Sequence, residues 1–268
     1  MRRMGKAEPA TFSSALMASW RVIWAVMLRD IRTRFFNHGL GYIIAIAFPL
    51  AHILILLGVY KIAGRAAPFG ENAAVFFGVG LAPFMAWNYM SRFIMLSLVV
   101  NRPLLAFPAV HILDVLLGRA LLEVLASCCM AVLLLGLGVA FGLDIAPHDT
   151  VDAALAWLAA LGLGLGFGMV SALIAQVAPG WVTVYFLSII VFYLASGIIF
   201  LPAEQSDRVL EYLTWLPTLH LVEWMRVAWF DGYSDRALDR TYVASWAIAS
   251  IFLGLALERL MRGRLMGG

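Results

Sequence analysis

The chain has 268 residues, of which 63% are hydrophobic and only 13% charged, with a formal net charge of +3 and a mean hydropathy of +0.91. Soluble domains are roughly 45–50% apolar and about 25% charged, and a globule of this size has too little interior to hide the difference. A soluble enzyme, a disordered tail and a nucleic-acid-binding domain are thereby excluded, leaving an all-α, multi-pass membrane protein.

Residues 1–39 read as a cytoplasmic tail and an amphipathic helix. Arg2, Arg3 and Lys6 imitate the start of a signal peptide, but Arg21, Arg29 and Asp30 interrupt the next stretch of chain, so no apolar run stands behind them for cleavage. Leu16, Trp20, Ile23, Trp24, Met27, Leu28 and Ile31 recur at spacings of three and four, while the arginines occupy other positions. A basic amphipathic helix with tryptophans lies in a membrane interface, apolar side down. Asn37-His38-Gly39 breaks it, and Gly41 begins the first span.

Stretches free of Asp, Glu, Lys and Arg locate the spans. They cover 35–60, 72–91, 124–143, 153–203 and 241–257. A helix needs about 20 residues to cross the bilayer core, so 153–203 holds two spans, hinged at Pro179-Gly180. The predicted domain, 40–258, therefore has six transmembrane helices, at about 40–60, 72–98, 112–140, 152–175, 182–200 and 241–258, followed by a cytoplasmic tail, 259–268. The third carries Asp114, Arg119 and Glu123 in its first turns. Arg119 and Glu123, four apart, can pair; the three form a buried charge network, or lie at headgroup level if the helix starts outside the hydrocarbon. Cys128 and Cys129 read as small buried apolar residues. Gly162, Gly164, Gly166 and Gly168 predict close helix packing against an unidentified partner.

Residues 201–240 are too charged to span and too apolar to float. Trp215, Glu223, Trp224, Arg226 and Trp229 fall in a predicted re-entrant segment: two short helices that break at Trp215-Leu216-Pro217 and end at Asp231-Gly232-Tyr233. If both termini are cytoplasmic, the inside segments hold thirteen of the 19 Lys and Arg residues and five of the 16 acidic ones. That asymmetry satisfies the positive-inside rule.

Phosphate-cradling chemistry is missing. Neither lysine, Lys6 or Lys61, belongs to a G-x-x-x-x-G-K-[ST] loop. The five histidines are scattered and no HExxH or CxxC occurs. No catalytic residue, metal site or bound cofactor is predicted for this chain.

The order of elements resembles that of the permease subunits of type-2 ABC exporters, and three local stretches resemble the capsular polysaccharide branch. These are Arg29-Asp30-Ile31-Arg32-Thr33-Arg34-Phe35 with Leu40-Gly41-Tyr42 and Phe48-Pro49-Leu50; Asn101-Arg102-Pro103-Leu104-Leu105 with Phe107-Pro108-Ala109-Val110 and Asp114; and Trp215-Leu216-Pro217, His220, Glu223-Trp224-Met225-Arg226 with Asp231-Gly232-Tyr233. The resemblance implies an inner-membrane homodimer working with two copies of a separate ATP-binding subunit, which holds the ATP and Mg. It also implies a lipid-linked, acidic polysaccharide cargo, periplasmic and outer-membrane export partners, and no nucleic acid. The related O-antigen and teichoic-acid permeases share the plan, and an integral-membrane enzyme acting on a lipid-linked sugar is the reading from another class. Candidates for cargo entry and path are Arg29, Arg32, Arg34, Trp181, Tyr185, Phe192 and Tyr193. Asn101, Arg102 and Phe107 are the candidates for ATPase coupling.

Topology provides the first test. Single cysteines at Asp149 and Ser234, in a background lacking Cys128 and Cys129, are expected to react with an impermeant thiol reagent on intact cells. Cysteines at Lys6 and Arg264 should react only after permeabilisation, and labelling there without it would overturn the six-span arrangement.

Overall fold

Hydrocarbon offers no hydrogen bonds, so a chain that enters it must satisfy its backbone internally. The computed structural model, which describes residues 12–33, 41–107 and 109–266, shows how this sequence does so. Its helices are α1 (Phe12–Thr33), α2 (Gly41–Ile62), α3 (Ala73–Val100), α4 (Ile112–Ala140), α5 (Thr150–Val177), α6 (Trp181–Ala195), α7 (Asp207–Leu213), α8 (Pro217–Trp229) and α9 (Arg240–Met266). Short 3-10 turns cover Arg102–Ala106 and Pro202–Glu204. Among the described residues, α3, α4, α5 and the Arg240–Gly263 part of α9 are long and apolar enough to cross a membrane. Shorter apolar runs lie in α2 and α6.

Polar side chains set several helix starts. Asn72 Oδ1 accepts the Ala74 amide at 2.8 Å ahead of α3. Asp149 Oδ1 accepts the amides of Val151 and Asp152, both at 2.9 Å, ahead of α5. His111 and Asp114 form a reciprocal capping box on α4. These side chains occupy backbone donors that a helix otherwise leaves unpaired.

The centre of the bundle is α5, packed between α3 and α9. Its glycines divide between the two neighbours. A Cβ on Gly164 would lie 3.1 Å from the Trp87 carbonyl and one on Gly168 3.0 Å from that of Ser91, both on α3. On the other face, a Cβ at Gly166 would stand 2.0 Å from Ser250 Oγ and 2.7 Å from the Ile251 nitrogen of α9. The partner that the glycine series could not identify is thus two partners, taken on alternate small residues. At one end of the bundle α8 packs on α3 and α5; at the other, α1 lies mainly along α4. Ile23, Val26 and Met27 of α1 are buried, while Leu16, Trp20, Trp24 and Leu28 stay exposed, so the apolar stripe packs on protein along one edge and stays open along the other.

Three expectations need correcting. The helix expected at 182–200 ends at Ala195, because Gly197 adopts a left-handed φ of 73° and Pro202 follows. The helix expected to end at 258 continues to Met266, carried across its charged turn by Arg262, which pairs with both carboxylate oxygens of Glu258 at 2.9 Å. Cys128 lies on the exposed face of α4 rather than inside it, and Cys129 is half-buried.

The glycine packing predicts a sharp contrast. Gly166→Val should cost about 1–3 kcal/mol through overpacking against α9 backbone, lowering the apparent Tm and the monodisperse fraction in detergent. Gly136→Val, on α4 with nothing within 4 Å of its Cβ position, should leave both unchanged.

Candidate functional site

A buried arginine organises the end of the bundle that contains α8. Arg226 is 0% exposed. Its Nη1 donates to the Gly197 carbonyl at 2.7 Å and lies 3.1 Å from Glu223 Oε1, while Nη2 donates to the Ile198 carbonyl at 2.8 Å. The guanidinium carbon sits 4.0 Å from the centre of the Phe76 ring, and Gly80 leaves the space for it, since a Cβ there would be 2.9 Å from Nη2. Tyr233 donates its hydroxyl to Glu223 at 3.0 Å. Glu223 and Arg226 are three apart on α8 and therefore share a face. Together they hold the chain that leaves α6, whose carbonyls have no helical partners.

Two further ties fix α8. Trp224 Nε1 donates to Asp152 Oδ1 at 2.7 Å, and Arg240 reaches the other oxygen of the same carboxylate at 2.7 Å. The amides of His148 and Asp149 donate to the carbonyls of Trp229 and Ala228, at 3.2 and 2.8 Å. One carboxylate thereby joins the starts of α5 and α9 to the middle of α8. His220 is buried on the same helix; its Nε2 donates to the Thr214 carbonyl at 2.8 Å and its Nδ1 accepts the Asp239 amide at 3.0 Å. Trp215 is 75% exposed at the break before α8, and Trp229, half-buried, lines an apolar crevice of about 1180 Å³ that α2–α5 enclose.

The opposite end carries the second polar cluster. Arg119 of α4 bridges Asp30 of α1, at 3.2 Å, and Glu123 one turn away, at 2.9 Å, with the Phe93 ring 4.8 Å from its guanidinium. Arg119 and Glu123 pair as their spacing predicts. Asp114 is buried too, but its carboxylate is turned to the amide and ring of His111, each at 3.1 Å. Asp30 takes the place foreseen for Asp114. Sequence inspection missed this because Asp30 is 89 residues from Arg119 and registers only as a break in an apolar face. Arg29 is hydrogen-bonded to Asn101 and lies 3.6 Å from Asp30, so both ends of that contact serve the joint between α1 and α3. Arg32 is exposed; Arg34 lies outside the described residues. Arg102 is exposed on the 3-10 turn and Phe107, at its end, is 59% exposed.

The four α6 aromatics separate. Tyr185 is buried, with its hydroxyl 2.5 Å from Ser91 Oγ. Tyr193 is half-buried and shares a 2.7 Å hydrogen bond with Tyr60. Phe192 meets Trp87 edge-on at 5.5 Å. Trp181 is half-buried at the start of the helix. Tyr185 is thus committed to α3, whereas Phe192, Tyr193 and Trp181 retain open surface. Among the described residues no group of three or more His, Cys, Asp or Glu side chains is placed to hold a metal ion.

The architecture has known counterparts. Residues 21–230 match the sequence model for "ABC-2 type transporter". The chain belongs to that family. Among curated members, this ABC-2 type chain is 31% identical to the polysialic acid transport protein KpsM of Escherichia coli over 236 residues, 88% of this chain and 91% of that protein. It is 28% identical to the capsule polysaccharide export inner-membrane protein BexB of Haemophilus influenzae, over 96% of this chain and 97% of BexB. Identity to CtrC of Neisseria meningitidis serogroup A, which carries the same description, is 25% over 95% and 96% of the two chains. The family match runs from within α1 to the residue after α8 and includes Asp30, Arg119, Glu123, Glu223 and Arg226.

The buried pair in this ABC-2 type chain yields a prediction. Arg226→Met leaves Glu223 buried without its cation and should cost about 3–5 kcal/mol, seen as loss of monodisperse protein after solubilisation. The double variant Glu223→Gln/Arg226→Met should recover part of that loss. A double variant as unstable as the sum of the two single ones would show that the residues act independently.

Proposed function

We propose that this chain is the membrane subunit of an ATP-driven exporter that moves a lipid-linked, acidic capsule-type polysaccharide across the inner membrane. The observation that carries this reading is the near full-length likeness to BexB, CtrC and KpsM, all named for polysaccharide export or transport. In this reading two copies of the chain, each with six spans and cytoplasmic termini, enclose one path along a two-fold axis. Two copies of a separate ATPase supply the energy, and periplasmic and outer-membrane proteins receive the polymer. The α8 segment lies at the periplasmic end.

The physical arrangement supports a division of labour. A polymer too long to be enclosed calls for threading rather than a closed pocket. Arg32 stands at the cytoplasmic mouth, where a basic side chain offsets part of the dehydration of an acidic polymer. Trp181, Phe192 and Tyr193 present ring surface along the shortest apolar helix. Arg102 and Phe107 stand clear of the bundle beside Asn101, whose side chain grips α1 through Arg29. A partner that seats Phe107 in an apolar socket would therefore pull on α1 and α3 together, and through Asp30 and Arg119 on α4.

A deletion strain carrying variants of the gene tests the reading. Loss of the chain should leave surface polysaccharide absent and its lipid-linked precursor accumulated in the cytoplasm. Phe107→Ala should retain membrane insertion but lower export by roughly tenfold or more, the scale of removing an interface anchor, and weaken co-purification of the ATPase. Wild-type export with both Phe107→Ala and Arg102→Ala would locate the coupling contact elsewhere, and a deletion without effect on surface polysaccharide would reject the export function.

A further inference from the structure

Arg92, inside a membrane helix, is a cation with no carboxylate beside it among the described residues. It lies eight residues before the end of α3, about 12 Å along the axis, and so within the depth where an uncompensated charge is costly. Its guanidinium carbon is 4.7 Å from the centre of the Phe186 ring on α6 and 5.7 Å from that of Phe93. It forms no hydrogen bond or ion pair with any described residue, and its Nε is buried without a partner. The side chain as a whole is half-buried. Nearby, the Tyr89 hydroxyl stands 3.3 Å from Nδ1 of His52, an exposed residue of α2. Arg92 is close enough for its charge to be felt at both.

The described residues have no carboxylate to spare for it. At this end of the bundle Asp30 and Glu123 are held by Arg119, Asp114 by His111, and Glu258 by Arg262. A second copy would offer the same side chains, already paired; Glu8 lies outside the described residues. The remaining acidic residues belong to the opposite end. Every other buried or half-buried arginine of the two polar clusters has a carboxylate within 4 Å. Aromatic faces favour the cation without neutralising it, and a planar guanidinium suits carboxylate and phosphate oxygens.

We infer that Arg92, between Phe93 and Phe186 and beside His52 and Tyr89, is a subsite for the anionic groups, carboxylate or phosphate, of the transported polymer. The inference rests on the export reading above and adds the residue that senses cargo charge. The site lies where α2, α3 and α6 meet, farther into the membrane than Arg32, so an acidic unit leaving the mouth would find its next counter-charge there. A phospholipid headgroup carries the same anion chemistry, and the test separates the two.

In the deletion strain, Arg92→Met should lower acidic surface polysaccharide by roughly tenfold or more with normal insertion and ATPase co-purification, while Arg92→Lys should restore a large part of it. The purified complex should be compared in phosphatidylcholine vesicles with and without phosphatidylglycerol, using polysialic acid oligomers and their carboxyl-reduced counterparts as probes. The expected result is ATPase stimulation by the acidic oligomer that Arg92→Met abolishes in both vesicle types, with the response to the reduced oligomer unchanged by the substitution. Export by Arg92→Met at the wild-type level would overturn the subsite while leaving the export function standing. A defect confined to vesicles containing phosphatidylglycerol would assign Arg92 to a lipid headgroup. A Glu8→Gln variant with the same defect would assign its counter-charge to the chain's own N-terminal segment; either result overturns the inference. Failure of the wild-type complex to respond to any acidic oligomer, with surface polysaccharide intact in the deletion strain, would reject both the subsite and the export function.

Discussion

A guanidinium taken out of water must find substitutes for the solvent it leaves, and Arg226 finds them in two carbonyls, one carboxylate and the face of a ring. Removing any one member exposes the rest to the cost of burying unpaired polar groups. The other features of this end of the bundle follow from that demand. Gly80 has to be small, Tyr233 has to reach Glu223, and the chain after α6 has to turn so that its carbonyls face inward. The turn after α6, the buried helix α8 and the segment that closes on Tyr233 all converge on this one ion pair.

The far end obeys the same rule with different participants. Arg119 draws Asp30 of α1 against α4, and Phe93 covers the guanidinium. Between the two clusters runs α5, which beyond Asp152 in its first turn contributes no charge and achieves closeness by omission, since its glycines let α3 and α9 approach it to backbone distance. Directional polar contacts therefore fix the ends of the molecule, and van der Waals packing fixes its middle. That is the division expected where lipid provides no hydrophobic drive between helices.

This division decides how much of the molecule is legible in its sequence. Helix starts bounded by local signals were legible: α4 begins at Ile112, where His111 and Asp114 cap it, and the break at Leu216-Pro217 falls where proline requires it. The Arg119–Glu123 pair was legible because its spacing is helical. Features that depend on distant partners were not. The carbonyls turned inward after α6 find their donor in Arg226, about thirty residues downstream, and the partner of Arg119 lies on α1. Arg92 was counted only as one more basic residue, since nothing local marks a cation that has no counter-ion among the described residues. The exposure of Cys128 depends on which side of α4 faces neighbours, and that side is set by α1 and α3.

The early end of α6 also bears on the distance over which a hydrated chain must be shielded. Fifteen helical residues rise about 22 Å, against roughly 30 Å of hydrocarbon in an ordinary bilayer. Beyond Ala195 the next groups are turned peptide carbonyls and an arginine rather than another turn of apolar helix. In the proposed exporter the low-dielectric layer alongside α6 would therefore be thinner than the membrane around it, and since the energetic barrier to a polar solute rises with the thickness of that layer, the fold would shorten the crossing before any cargo arrives.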